Sequence, residues 1–249
     1  KAVFLDFGGV LTDVSRRDAG FADVAVHIFE LLSNCGISLE LEDIEAHVRA
    51  GSRAFEQWKR SQSRLASPME PTASGFWEFV TSDWPQRARA ALDAHATALC
   101  ERFEAATVAR PAKPGAVELL QGLRALGLRT ALICNTLSGS GTRQLMRDHG
   151  FAGLLTLELY SDEQRLRKPN PELFSLALTA FDLAPSEVWY VGDKLDRDVL
   201  AAKRAGLGGA ILMAPQALID EDMPGLAPDL VVRNPRHLLK TVEAQLANG

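Results

Sequence analysis

Short apolar runs alternate with helical stretches along most of this chain, and the runs lead into polar residues or glycine loops. Val3-Phe4-Leu5 leads into Asp6-Phe7-Gly8-Gly9. The run at 129–134 leads into Asn135-Thr136, and the run at 188–191 into Gly192-Asp193. Residues 154–159, 209–213 and 230–232 read as further strands. Helical periodicity fills the gaps at 116–126, 142–149, 171–183, 197–205 and 236–246, with Asn170 as a cap of the third. Continuously apolar strands separated by helices predict a mostly parallel sheet covered on both faces.

One section breaks the alternation. Residues 22–33, 42–50, 53–61, 76–81 and 86–105 have helical periodicity, Pro68, Pro71 and Pro85 fall between them, and no strand pattern appears from about 20 to about 105. The simplest reading is an all-helical domain inserted into an α/β core after its first strand. The small polar stretch from Leu137 to Thr142 is a loop, too short for a linker.

Composition excludes several classes of function. Lys+Arg is 27 and Asp+Glu is 32, a formal net charge of −5, which disfavours sequence-independent nucleic-acid binding. No apolar run reaches the roughly 18–20 residues that span a bilayer. Cys35, Cys100 and Cys134 form no CxxC, so neither a disulfide framework nor a zinc ribbon is suggested, and a reducing, cytoplasmic setting is expected. No signal-peptide pattern opens the sequence, but it begins at Lys1 rather than Met, so an upstream segment stays open.

In open parallel sheets, ligands bind beyond the carboxyl ends of the strands. Asp6 comes just after the first strand, and Cys134-Asn135-Thr136 lies at the end of the second core strand. Arg165, Arg167 and Lys168 come after 154–159, and Asp193, Asp196 and Asp198 after 188–191. Carboxylates from two strand ends and a lysine from a third segment therefore converge on one rim. That combination suits a hard, oxygen-loving cation together with an anionic substrate.

Four stretches carry a close resemblance to the haloacid dehalogenase-like hydrolase superfamily. They are Asp6-Phe-Gly-Gly-Val-Leu-Thr-Asp13, Cys134-Asn135, Arg167-Lys-Pro-Asn-Pro-Glu-Leu-Phe174 and Gly192-Asp-Lys-Leu-Asp-Arg-Asp198. The resemblance implies a Rossmann-like, three-layer parallel-sheet core over 1–13 and 108–249, with a helical cap inserted at 14–107. It implies a Mg²⁺-dependent phosphatase of a small phosphorylated metabolite, with Asp6 as nucleophile and an aspartyl-phosphate intermediate. Asp6, the Gly8 carbonyl and Asp193 would hold Mg²⁺, with Asp198 supporting directly or through water. Lys168 would face the phosphate and the Asp6 carboxylate. The N–H groups of Gly8 and Gly9, with Cys134 and Asn135, would grip phosphate. Neither nucleic acid nor membrane is an expected partner, and an all-helical cap leaves a homodimer open.

This sequence departs from the family's usual pattern twice. Most phosphatases of the superfamily carry a second Asp two residues after the nucleophile, and Gly8 stands there. Loss of such an acid–base group costs about 10²–10⁴-fold in rate, unless the leaving group is reactive or another group substitutes. The usual Ser or Thr is Cys134, a weak donor, which shifts the phosphate grip toward the Asn135 N–H or the Thr136 hydroxyl. The departures admit two rival readings: a dehalogenase-type hydrolase in which Asp6 attacks carbon, and a catalytically quiet binding or regulatory protein.

Other residues have plainer readings. Asp13 and Asp196 read as turn carboxylates, and Cys134 as a small buried residue. Trp58, Trp77 and Trp84, near Arg53, Lys59, Arg60 and Arg64, read as helical core plus a charged face, although some could face the rim. The five histidines form no metal spacing.

Overall fold

The computed structural model describes residues 1–214 and 225–247. The parts of the predicted core at 215–224 and 248–249 lie outside the described residues. The first half of the chain runs β1 (Ala2–Leu5), β2 (Ser15–Arg16), α1 (Gly20–Asn34), α2 (Leu41–Gln62), α3 (Ala73–Thr81), α4 (Gln86–Asp93), α5 (Ala96–Thr107) and β3 (Val108–Ala109). It continues through α6 (Ala116–Ala125), β4 (Arg129–Cys134), α7 (Gly139–Asp148), β5 (Leu157–Tyr160), α8 (Ser161–Gln164) and α9 (Glu172–Phe181). After a 3₁₀ turn (Pro185–Glu187) come β6 (Val188–Gly192), a π-turn (Leu195–Val199), α10 (Leu200–Arg204), β7 (Gly209–Met213), β8 (Leu230–Val232) and α11 (Pro235–Ala247). None of the described helices is long and apolar enough to cross a membrane.

Six strands form one parallel sheet in the order β5-β4-β1-β6-β7-β8. The period of two along each strand sends alternate side chains to opposite faces, and both faces are apolar. Val3 and Leu5 of β1, with Leu132, Val191 and Ile211, pack on one side against Leu119, Leu120 and Leu123 of α6 and Leu238 of α11. Ala2 and Phe4, with Ile133, Tyr190 and Leu212, pack on the other against Leu173, Phe174 and Ala177 of α9 and Ala201 of α10. The core is therefore a three-layer α/β sandwich with a Rossmann-like parallel sheet. β1 lies between β4 and β6, so the chain beyond Leu5 emerges at the middle of the sheet's carboxyl edge.

Helices α1–α5 gather around their own cluster, which includes Val24, Ile28, Val48, Phe55, Phe76, Trp77 and Phe103. Where the sequence suggested two helices at 42–50 and 53–61, α2 runs unbroken. Gly51 is a packing residue there: a Cβ would stand 2.5 Å from Val80 Cγ2 and 2.7 Å from the Phe79 carbonyl oxygen. Conversely, the single helix expected at 86–105 is two, because the backbone leaves helical geometry at His95, where no glycine or proline signals it. The antiparallel ribbon of β2 and β3 is too short to leave a periodic signal, and it joins the two crossings between sheet and helices.

The loop at 68–70 fastens the helical section to the sheet. Glu70 N–H donates to Arg165 O at 3.2 Å, Asn170 Nδ2 to Pro68 O at 3.2 Å, and Arg167 Nη1 to Glu70 Oε1 at 2.8 Å. The Arg167 and Glu70 side chains are 5% and 2% exposed, so the pair is desolvated. Removing one member of such a pair strands a buried charge, at about 3–5 kcal/mol. Glu70→Ala is expected to lower unfolding stability by that amount in urea titration. A change under about 1 kcal/mol, the range of exposed pairs, would show that the contact clamps nothing.

Candidate active site

Asp6 N–H donates to Val191 O at 2.9 Å, so the ladder holds the chain one residue beyond β1. The Asp6 side chain is 4% exposed, and its Oδ1 accepts from the Phe7 N–H at 2.8 Å and from Lys168 Nζ at 2.9 Å. Lys168 is fully buried and also meets Asp198 Oδ1 at 2.8 Å and donates to the Tyr190 hydroxyl. Tyr190, on the strand beside β1, donates to Asp198 Oδ1 at 3.2 Å. The backbone around Lys168 is clasped by Asn135, just past β4: Oδ1 accepts from Lys168 N–H at 2.9 Å and Nδ2 donates to Lys168 O at 3.1 Å.

The π-turn after β6 adds one residue to the turn and brings Asp198 back under the end of β6. Its Oδ2 accepts from the Asp193 and Lys194 N–H groups at 3.2 and 3.1 Å. Two glycines make room. A Cβ on Gly192 would sit 2.2 Å from Asp198 Cβ, and one on Gly9, which has φ of 81°, would sit 2.4 Å from the Asp193 carboxyl. Carboxylate oxygens of Asp6, Asp193 and Asp198 lie within 4.8 Å of one another. Arg197 Nη2 reaches all three, at 3.0, 2.9 and 3.0 Å.

The charges in this cluster set its proton affinities. Burial pushes the Asp6 carboxyl up from its ordinary value, against the pull of Lys168, and Asp198 adds to the rise. Burial acts on Asp198 too, but Arg197 and then Lys168 outweigh it and hold that carboxyl well below the usual range. Of the two acids that share Lys168, Asp198 is therefore the more acidic. Burial works against the charge on Arg197 as well, and Asp198, Asp6 and Asp193 override it, so the guanidinium stays charged. The three-carboxylate donor set fits a hard cation. The guanidinium already supplies positive charge there, and its side chain is 26% exposed, which leaves it a route outward.

Above the cluster is a cavity of about 590 Å³, lined from the sheet side by Asp6, Gly8, Gly9, Cys134, Asn135 and Asp193. Phe55, Lys59 and Glu70 line it from the helical section. The structure thus brings Asp6, Gly8, Gly9, Cys134, Asn135, Lys168, Asp193 and Asp198 to one place. Cys134 is 3% exposed and packs within the core at the cavity wall, and burial pushes its thiol far up from its ordinary value. The Thr136 hydroxyl is committed elsewhere: it donates to Glu104 Oε2 at 2.6 Å and lies 3.2 Å from the Thr142 hydroxyl. Asp13 is 62% exposed, 3.5 Å from Lys113, and lines a separate cavity. Trp77 and Trp84 are core residues, whereas Trp58 stacks on Phe55 and lies beneath the Arg167 guanidinium.

Four residues of the site escape a reading by strand ends: Tyr190, Arg197, Arg110 and Glu104. Tyr190 lies two residues before Gly192, a spacing that does place it on the same face of β6. Arg197 lies inside the Gly192–Asp198 stretch, but only the fold turns it onto the carboxylates. Arg110 and Glu104 flank β3 and carry no local signal.

Comparison with known proteins places the chain in a family. The family description "haloacid dehalogenase-like hydrolase" matches residues 1–206. A phosphoserine phosphatase of Thermus thermophilus is 33% identical over 193 residues, 76% of this chain and 74% of that protein. A glyceraldehyde 3-phosphate phosphatase of Methanopyrus kandleri is 31% identical over 136 residues, 52% of this chain and 55% of its own. A solved L-2-haloacid dehalogenase superposes with a TM-score of 0.61 over 98% of both chains at 21% identity, a likeness of fold. With the family's description covering most of its length, this chain belongs to the haloacid dehalogenase-like hydrolases.

Proposed function

We propose that the protein is a Mg²⁺-dependent phosphatase of a small phosphorylated metabolite, acting through an aspartyl-phosphate at Asp6. Residues 1–13 and 108–249 form the catalytic core in this reading, and 14–107 the cap. The observation that carries it is the single cluster at the cavity floor: Asp6 bonded to Lys168, with Asp193 and Asp198 within 4.8 Å. Relatives named as phosphatases support the same class.

Asp6 attacks phosphorus through a carboxylate oxygen, the ester P–O bond breaks, and the leaving oxygen takes a proton from water. Lys168 holds the attacking carboxylate and adds positive charge beside it. Gly8 lets its N–H approach the phosphoryl oxygens, whereas the Gly9 N–H, expected from the sequence to do the same, donates to the Thr12 carbonyl oxygen at 2.8 Å. Water then attacks phosphorus and releases phosphate and free Asp6. Asp6, Asp193 and Asp198, with the Gly8 carbonyl, would hold the ion. When bound there, Mg²⁺ would supply positive charge between nucleophile and phosphate. The test is a divalent-dependent phosphate-release screen over a broad panel of phosphate esters, with Asp6→Asn as the blank. Release that survives both that substitution and EDTA contradicts the reading.

One observation favours a metal-free alternative: Arg197 Nη2 already bonds all three carboxylates. An ion held by the same carboxylates would compete with this guanidinium for their oxygens. Arg197→Ala is expected to tighten Mg²⁺ or Mn²⁺ binding by about 10-fold or more in calorimetry, one charge-assisted contact set being removed from competition. Unchanged or weaker binding would mean that Arg197 does not compete with the ion for these carboxylates; halide release without added metal would favour the dehalogenase reading.

A further inference from the structure

We propose that Arg110 is a specificity-determining residue that recognises a second anionic group on the leaving portion of the substrate. The substrate class is then a phosphate monoester that also carries a carboxylate or a second phosphoryl group. This inference rests on the phosphatase reading above and narrows it.

The place beside Gly8 is filled, and not by an acid. A Cβ on Gly8 would stand 2.9 Å from Arg110 Nη1 and 3.1 Å from Val14 Cγ2. A guanidinium thus lies two residues along from the nucleophile. Its planar fork of N–H donors can bind an anion bidentately. The Arg110 backbone is fixed, since His149 Nε2–H donates to its carbonyl oxygen at 2.7 Å and β3 precedes it. Its side chain is 17% exposed and lines the same cavity as Asp6 and Asn135.

The other cations on that cavity are already spoken for. Arg16 lies 3.1 Å and Lys59 2.7 Å from Glu56, Arg167 lies 2.8 Å from Glu70, and Lys194 lies 2.9 Å from Asp193. Arg197 holds the three aspartates. Arg110 is different: its ion pair, with Glu104 Oε1, is 3.7 Å long. Glu104 meanwhile turns its other oxygen to the Thr136 hydroxyl at 2.6 Å and the Ser138 N–H at 3.2 Å. Among the described cations lining the cavity, Arg110 is the one held most loosely by a carboxylate, and its guanidinium stands beside Gly8, two residues along the chain from Asp6. The Arg110 side chain is mostly buried, so a neutral analogue that leaves its guanidinium unpaired is disfavoured relative to an anion that pairs with it.

The experiment compares two esters that differ in the second anion, 3-phosphoglycerate and glycerol 3-phosphate, on the wild type and on Arg110→Met and Arg110→Lys. The wild type is expected to prefer 3-phosphoglycerate by about 10-fold or more in kcat/KM, mainly through KM. Arg110→Met is expected to erase that preference, lowering kcat/KM for 3-phosphoglycerate about 10-fold more than for glycerol 3-phosphate, and Arg110→Lys to restore part of it. Calorimetric binding of both esters to Asp6→Asn and to Asp6→Asn/Arg110→Met reads the same preference without turnover. Hydrolysis of both esters with a preference that Arg110→Met leaves intact, or no preference in the wild type, overturns the inference and leaves the phosphatase reading standing. A binding preference that needs Arg110 in a protein that hydrolyses neither ester upholds the inference and contradicts the phosphatase reading.

Discussion

Asp6→Asn is expected to reduce phosphate release by about 10³-fold or more while leaving the fold at least as stable as the wild type. The rate loss comes from removing the nucleophile, which binding energy and the remaining electrostatics do not replace. The stability comes from the sign of the Asp6 shift. Burial raises its proton affinity in the fold, so ionisation of Asp6 opposes folding. That penalty is absent below the unfolded value of about 3.9 and complete once the pH exceeds the folded value. An amide carries no such penalty. Lys168 keeps Asp198, and Arg197 keeps Asp193 and Asp198. Activity assays paired with metal-free thermal melts at neutral pH check both halves. A variant that melts several degrees lower would mean that Asp6 is a structural ion-pair partner, and its lost activity would then say nothing about chemistry.

Lys168→Met is expected to do the opposite to stability. Lys168 is fully buried and bonds Asp6 and Asp198 at 2.9 and 2.8 Å. Methionine conserves much of the volume but leaves two buried carboxylates facing each other with Arg197 alone to neutralise them. Removing one partner from a buried ionic cluster costs about 3–5 kcal/mol, so a clear loss in urea stability is expected. Activity should fall by about 10²–10³-fold, the scale of removing one electrostatic stabiliser from a water-poor site. Asp198→Asn in the same background should recover part of the stability, because it leaves Arg197 one fewer buried charge to neutralise, and none of the activity. Failure of that recovery would place the cost of Lys168→Met in packing.

The β1–Asp6 junction, the Arg167–Phe174 stretch and the Gly192–Asp198 stretch were all readable in the sequence, because each couples a strand end to residues whose chemistry is local to it. Their convergence was readable too, since a parallel sheet puts its strand ends on one edge. Arg110 was not. It acts across the chain, 102 residues from Gly8, and the pairing of residues 11–16 with 108–113 brings it there. Arg197 was visible as a letter between two aspartates, but periodicity does not report a π-turn. The unbroken α2 and the break between α4 and α5 escaped for a shared reason: Gly51 is spent on packing and His95 carries no breaker. Thr136 looks free to hold phosphate in the sequence, and its bond to Glu104, 32 residues away, is a product of the fold.

The most direct measurement is rapid quenching of the turning-over wild type in acid, with peptide mass spectrometry on the quenched protein. A phosphoryl adduct on the peptide that contains Asp6, labile to hydroxylamine and absent from Asp6→Asn, is the expected result. Turnover with no such adduct, or with the adduct on another residue, would contradict Asp6 as the nucleophile.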